Sequence, residues 1–149
     1  MDVSGTIGAI LGQKTGEIFF VSPDQTVFEA IQMLGQKNVG ALLVMDGEKL
    51  VGLFSERDYT RKVVVKGKRS RETKVSEVMS TDLKLIHLQE GVEACLRLMT
   101  DKRIRHLPVV DGDKVIGIIS IGDLVKRVID SQSAAIAQLE SYISGGYSG

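Results

Sequence analysis

An internal duplication constrains this chain more than any other feature of its sequence. The stretch Val51-Gly-Leu-Phe-Ser-Glu-Arg-Asp58 returns 65 residues later as Ile116-Gly-Ile-Ile-Ser-Ile-Gly-Asp123. Sliding residues 21–64 onto 86–129 needs no gap and gives 11 identities in 44 positions, with Val/Ile/Leu exchanges at many others. Self-similarity of this kind is read before any fold assignment, because both copies must adopt one order of elements.

That order follows from apolar spacing. In the first copy an extended segment, Ile18–Val21, leads to the turn and helix-start signal Ser22-Pro-Asp24. Val27, Ala30, Ile31 and Leu34 then recur at i, i+3, i+4 and i+7, which predicts an amphipathic helix stopping near Gly35. Val39–Met45 is short and almost continuously apolar, as a strand buried on both faces would be. Asp46-Gly47 turns the chain, Leu50–Phe54 forms the return strand, and a helix from Glu56 to Val65 closes the unit. The second copy repeats this with strand Leu83–Ile86, helix Val92–Lys102, strand Leu107–Val110, turn Asp111-Gly112, strand Val115–Ile119 and helix Ile121–Asp130. Its apolar helix positions are Val92, Cys95, Leu96 and Met99.

The fold class is therefore α/β (α+β), as two tandem strand-helix-strand-strand-helix repeats. The expected organisation is repeat 1 over 5–66, a basic linker over 67–74, repeat 2 over 75–130, and a C-terminal helix with a flexible tail over 131–149. Thr6–Leu11 and Lys74–Met79 read as brief helical turns ahead of each copy. Lys66–Lys74 carries five basic residues against one acid, the pattern of a solvated linker or of a docking surface for phosphate or an acidic partner. Beyond Asp130, Ile136, Leu139 and Ile143 form one apolar stripe, so that helix must dock on something; the Gly145–Gly149 tail is expected to be disordered.

In each copy the apolar strand stops at a Ser, and an Asp follows three residues later. This places Ser55 and Ser120 at helix N-caps, where Ser can bind the N–H three residues on and the acid complements the first turn. The same residues also suit an anion site, with the Ser hydroxyl and helix start on a phosphate and Asp58 and Asp123 accepting from ribose hydroxyls. One residue can serve in both ways.

Composition excludes several classes. Lys plus Arg and Asp plus Glu number 19 each, so no global field recruits nucleic acid or an anionic membrane, and anion binding has to be local. No apolar run approaches the ~18 residues of a membrane span, and the N-terminus lacks a signal peptide's basic region. Cys95 is the single cysteine, which rules out an internal disulfide and a cysteine-cluster metal site and fits a reducing cytoplasm. The Met residues read as core filler rather than as ligands. His87 and His106 are the only histidines, there is no nucleophile–base arrangement, and no Gly-x-x-x-x-Gly-Lys-Ser/Thr loop is present. The chain is expected to be no enzyme and to hold no metal or prosthetic group.

Two Gly-x-x-Ser-x-x-Asp elements in register, together with Arg105-His106-Leu107-Pro108-Val109-Val110-Asp111, resemble a pair of CBS domains, the family named for cystathionine β-synthase. The resemblance covers about residues 5–130 and is nearest to stand-alone bacterial two-CBS proteins without a catalytic domain. It implies packing of the repeats about a pseudo-twofold axis, with two clefts that in many members bind adenosine nucleotides. Carried over, Asp58 and Asp123 would hold ribose, Ser55 and Ser120 would touch phosphate, and Arg105 and His106 would be basic phosphate ligands beside Pro108. Arg57, Arg61 and Gly122 complete the candidate set. The first repeat departs from this pattern, with Gly40 and Ala41 where the second has Arg105 and His106. The resemblance implies a regulatory module sensing AMP, ATP or NAD(H), working as a twofold homodimer; the alternative is a scaffold acting through its surface. For that dimer, apolar surface is expected on the helices beginning near Val27 and Val92 and on the stripe after Asp130.

Overall fold

The computed structural model describes residues 5–13 and 18–148. The N-terminal signal-peptide question, most of the loop Gly12–Gly16 and the last tail residue lie outside them. The elements are α1 (Ile7–Gln13), β1 (Phe20–Val21), α2 (Val27–Lys37), β2 (Ala41–Asp46), β3 (Lys49–Ser55) and α3 (Glu56–Asp58), which runs into a π-helical segment, Tyr59–Val64. There follow α4 (Val75–Val78), β4 (Ile86–His87), α5 (Val92–Lys102), β5 (His106–Asp111), β6 (Lys114–Ser120) and α6 (Ile121–Ser148). Two three-stranded sheets form, ordered β1-β2-β3 and β4-β5-β6, as the duplication requires.

The chain forms two compact units: Glu17–Leu85 with Pro108–Ile118, and Met1–Gly16 with Ile86–Leu107 and Ile119–Gly149. In the former, β1 lies parallel to β2, with Phe20 opposite Leu43, and β2 runs antiparallel to β3 from Ala41↔Ser55 to Asp46↔Lys49, with a bulge at Val44/Met45. Val27, Ala30 and Leu34 of α2 pack with Val21, Leu42, Val44, Phe54, Val63, Val75 and Val78 into one buried core. The helix begins at Val27, later than the Ser22-Pro-Asp24 signal suggested, because Thr26 is its N-cap and forms a reciprocal capping box with Glu29. Hydrogen bonds from the Gln25 amide, then from the Thr26 backbone and hydroxyl, hold the Glu29 carboxyl below its ordinary pKa. The helix also passes through Gly35 and ends at Asn38, whose φ of 54° closes the last turn; Arg103, 65 residues on, ends α5 with the same φ of 54°.

Helical segments that precede one repeat in sequence pack on the other. α4 and its flanks, ahead of repeat 2, dock on repeat 1: Val27 N donates to Thr73 O (2.8 Å), Val75 N to Gln25 O (2.9 Å), and Leu53 and Ser80 exchange backbone bonds of 2.9 and 2.8 Å. In the other unit α1, ahead of repeat 1, bonds to the start of repeat 2, with Ile7 N donating to Glu90 O (2.9 Å) and Val92 N to Gly5 O (3.1 Å). The basic segment is held at its backbone while its five basic side chains stay exposed: Thr73 is buried, Phe28 N donates to Ser70 O (3.1 Å), and the Arg71 guanidinium lies 3.8 Å from the Phe28 ring centre.

The docking of α4 depends on Gly52. A Cβ there would lie 2.6 Å from Met79 Sδ and 3.1 Å from the Ser80 carbonyl oxygen. Gly52→Ala is expected to cost about 1–3 kcal/mol by overpacking, and less in a Met79→Ala background, where the flexible side chain is gone. Urea unfolding of the two singles and the double variant checks this; strictly additive losses would mean that Met79 does not cover the glycine.

Three further sequence expectations are corrected. The helix expected over Glu56–Val65 is α-helical for three residues only and then π-helical, with Val65 N bonded to Thr60 O (3.0 Å); apolar spacing at Tyr59 and Val63 does not distinguish a widened turn from an α-turn. The helix expected to stop at Asp130 continues as one through Ser148, and the disordered tail is helical backbone to that residue. Repeat 1 turns at Gly67 with φ 69°, whereas the matching position in repeat 2 is Gln132, which continues the helix. Finally, the large exposed hydrophobics among the described residues do not lie on α2 or α5; they include Phe20, Val64, Val65 and Leu85 and run along α6. On α2 and α5, Val27 and Val92 are fully buried, while Ile31, Met33, Leu96 and Leu98 stay half-buried and keep part of their apolar surface.

Candidate functional site

Each Gly-x-x-Ser-x-x-Asp element sits where a strand of the sheet becomes a helix. In the first repeat, Ser55 ends β3 with extended backbone (φ −123°, ψ 165°). Its Oγ accepts from Asp58 N (3.1 Å), while Asp58 Oδ2 accepts from Ser55 N (3.0 Å) and Ser55 Oγ (3.1 Å). Asp58 Oδ1 accepts from Ser80 Oγ (2.9 Å) and pairs with Lys62 Nζ (3.0 Å). A carboxylate offers about four acceptor positions, so this buried group, 6% exposed, is fully engaged. Lys62 and Ser80 were not singled out from sequence. The signal for Lys62 is its i+4 spacing from Asp58; Ser80 is brought in only by the docking of α4.

The second repeat builds the same box at the end of β6. Ser120 N donates to Asp123 Oδ2 (2.9 Å) and Asp123 N to Ser120 Oγ (3.1 Å). Asp123 is half-buried, more open than Asp58. In both copies the first helical N–H is taken by the carbonyl just before the second strand: Glu56 N donates to Gly40 O (3.0 Å) and Ile121 N to Arg105 O (2.8 Å). This bond brings Arg105 beside its own repeat's Ser120–Asp123 box, and puts Gly40 at the matching place in the first repeat. The capping reading therefore holds in both copies, and the first and third helical N–H groups are spent on it.

Of the remaining candidates, Arg57, Arg61, Arg105 and Gly122 are exposed, His106 is half-buried at the start of β5, and Pro108 is buried within that strand. A Cβ at Gly122 would meet only Ser120 Oγ, at 3.6 Å, so the second box is open where the first carries Arg57. Cys95 is buried on the inner face of α5. Among the described residues no group of three or more His, Cys, Asp or Glu could hold a metal ion, and no helix is long and apolar enough to cross a membrane.

The family profile for the CBS domain matches residues 11–65 and 75–130. The chain is 39% identical over 153 residues to the mitochondrial CBS domain-containing protein CBSX3 of Arabidopsis thaliana, a match covering 97% of this chain and 74% of that one. A solved protein with CBS domains from Burkholderia ambifaria MC40-6 superposes with a TM-score of 0.83 at 44% identity, covering 85% of this chain and 96% of that one. The CBS domain pair of protein MJ0100, solved in complex with 5′-methylthioadenosine and S-adenosyl-L-methionine, shares the fold at 23% identity, with a TM-score of 0.74 over 85% of this chain and 97% of that one. Both repeats, each with its own Ser–Asp box at the strand end, place this chain in the CBS-domain family as a tandem pair, a regulatory module.

Proposed function

We propose that this CBS pair senses an adenosine nucleotide, of the AMP, ATP or NAD(H) class, and returns it unchanged. The observation that carries the reading is the duplicated box itself, in which an Asp carboxylate is fixed at the end of a sheet strand by the backbone N–H of its Ser in both repeats. An ionised acceptor ordered in this way suits vicinal ribose hydroxyls, which donate two hydrogen bonds to one carboxylate; at Asp58 they would take the places of Ser80 Oγ and Lys62 Nζ on Oδ1. With the first and third helical N–H groups occupied, phosphate falls to side chains: the Ser120 hydroxyl, the Ser55 hydroxyl once it turns from Asp58 Oδ2, Arg57 and Arg61 in the first repeat, Arg105 and His106 in the second. The adenosine compounds held by the MJ0100 pair support a ligand of this chemistry on this fold. The protein works in this reading as a homodimer in the cytoplasm, a setting in keeping with its single, buried cysteine.

Ligand that binds only the folded chain stabilises it by RT ln(1 + [L]/Kd), about 2.7 kcal/mol at a hundredfold excess over Kd. Melting is therefore expected to rise with AMP, ATP or NADH and to stay put with GMP. Equal shifts with adenine and guanine nucleotides would mean that phosphate alone is recognised. No shift with any of them would favour the surface scaffold. Chromatography of the nucleotide after incubation checks that it is returned intact.

A further inference from the structure

Among the described residues, none covers the second half of α6. Leu124 is buried and Arg127 and Val128 are half-buried against the fold, but every residue from Gln132 to Ile143 is exposed. A helical segment of this length is marginal in water without tertiary contacts. Its exposed side is also strongly apolar: Val125 is 43% exposed, Ile129 54%, Ile136 56%, Leu139 62% and Ile143 56%. With Gln132, these residues fall at alternating steps of four and three, a 3.5-residue period that matches the seam of one helix packed along another. Five of the six seam positions are apolar.

We infer that α6 pairs antiparallel with α6 of a second copy, with Ile129 opposite Leu139, Val125 opposite Ile143 and Gln132 opposite Ile136. The charges beside the seam select both the occupant and the direction. Lys126 and Glu140 each follow a seam residue of the same type, Val125 and Leu139. In an antiparallel pair those positions share an edge, so Lys126 of each copy meets Glu140 of the other. A parallel pair would set Lys126 and Glu140 against the opposite flank, which carries Ile121, Val128, Ala135 and Tyr142 and offers no countercharge. Antiparallel packing also lays each unsupported C-terminal half over the partner's anchored N-terminal half and opposes the two helix dipoles. The twofold operator makes the contact closed, so it stops at two copies.

This inference rests on the homodimer part of the proposed function and not on nucleotide binding. It is tested with the full chain carrying Ile129→Cys, Leu139→Cys, or both, oxidised and read on a non-reducing gel, with the unsubstituted chain as the control for Cys95. Ten residues along a helix span about 15 Å, too far for a disulfide within one chain. The double variant is expected to run as a covalent dimer, and each single variant as a monomer. Covalent dimers of the single variants would mean parallel helices and overturn the proposal. Light scattering at ~10 μM, where a Kd of ~1 μM or tighter keeps most chains paired, separates the remaining outcomes. A dimer mass with no cross-link in any variant overturns the α6 pairing and leaves the homodimer standing on another surface; a monomer mass removes both.

Discussion

Asp58→Ala and Asp123→Ala are each expected to weaken one adenosine-nucleotide site ten- to a hundredfold, with the two losses falling on different ligands. Hydrogen bonds to an ionised acceptor contribute about 1.5–3 kcal/mol, which converts to roughly that range of Kd. The sites should differ because the boxes differ: Arg57 offers a forked, permanently charged donor where Gly122 leaves open space, and Arg105-His106 stands where the first repeat has Gly40-Ala41. At Asp58 a ribose hydroxyl can take a place on Oδ1 only by replacing Ser80 Oγ or Lys62 Nζ. Asp58 also accepts from Ser55 N and Ser80 Oγ inside the fold, so its truncation should lower stability by about 1–3 kcal/mol as well. Asp58→Asn separates the two effects, since its amide oxygen can still accept from Ser55 N while the charge is gone. Calorimetric titration of these variants with AMP and with NADH is the measurement. Parallel losses of both ligands in both Ala variants would make the sites equivalent or coupled; unchanged affinities would reduce the two Asp residues to caps.

Phe54→Ala should cost about 3–5 kcal/mol, the range for deleting a large side chain from a core that cannot close over the gap. Phe54 is 0% exposed and pairs with Leu42 across the β2–β3 ladder, within the cluster that joins α2, α4 and the π-helical segment. It also immediately precedes Ser55, so its ring fixes the strand end from which the first box is built. Ile119→Ala, at the matching buried position before Ser120, should cost about 2–5 kcal/mol. Urea midpoints at unchanged slope would report both. A loss below about 1 kcal/mol at Phe54 would mean that the cavity refills and that the core is not a rigid support of the box.

What the sequence determined by itself was everything that depends on local spacing and on the comparison of the two copies. The strand-helix-strand-strand-helix order could be read because each element has its own period, and α5 has the bounds its apolar positions predict. Both Ser–Asp boxes were legible for the same reason, since a cap forms between residues three apart in the chain. Local spacing failed where a local choice had two outcomes, as with the widened turn after Asp58 and the missing stop at Gln132. The tertiary structure alone decided which parts of the chain meet. It set α4 against repeat 1 and α1 against repeat 2, brought Ser80 to Asp58 from 22 residues away, and placed Arg105 beside the Ser120 box through a backbone bond. It also put the most exposed large hydrophobics on α6 and around Phe20, Val64 and Leu85, and left those of α2 and α5 half-buried or buried. A periodic pattern says that a helix has an apolar face, and only the packed chain shows whether that face has already been used.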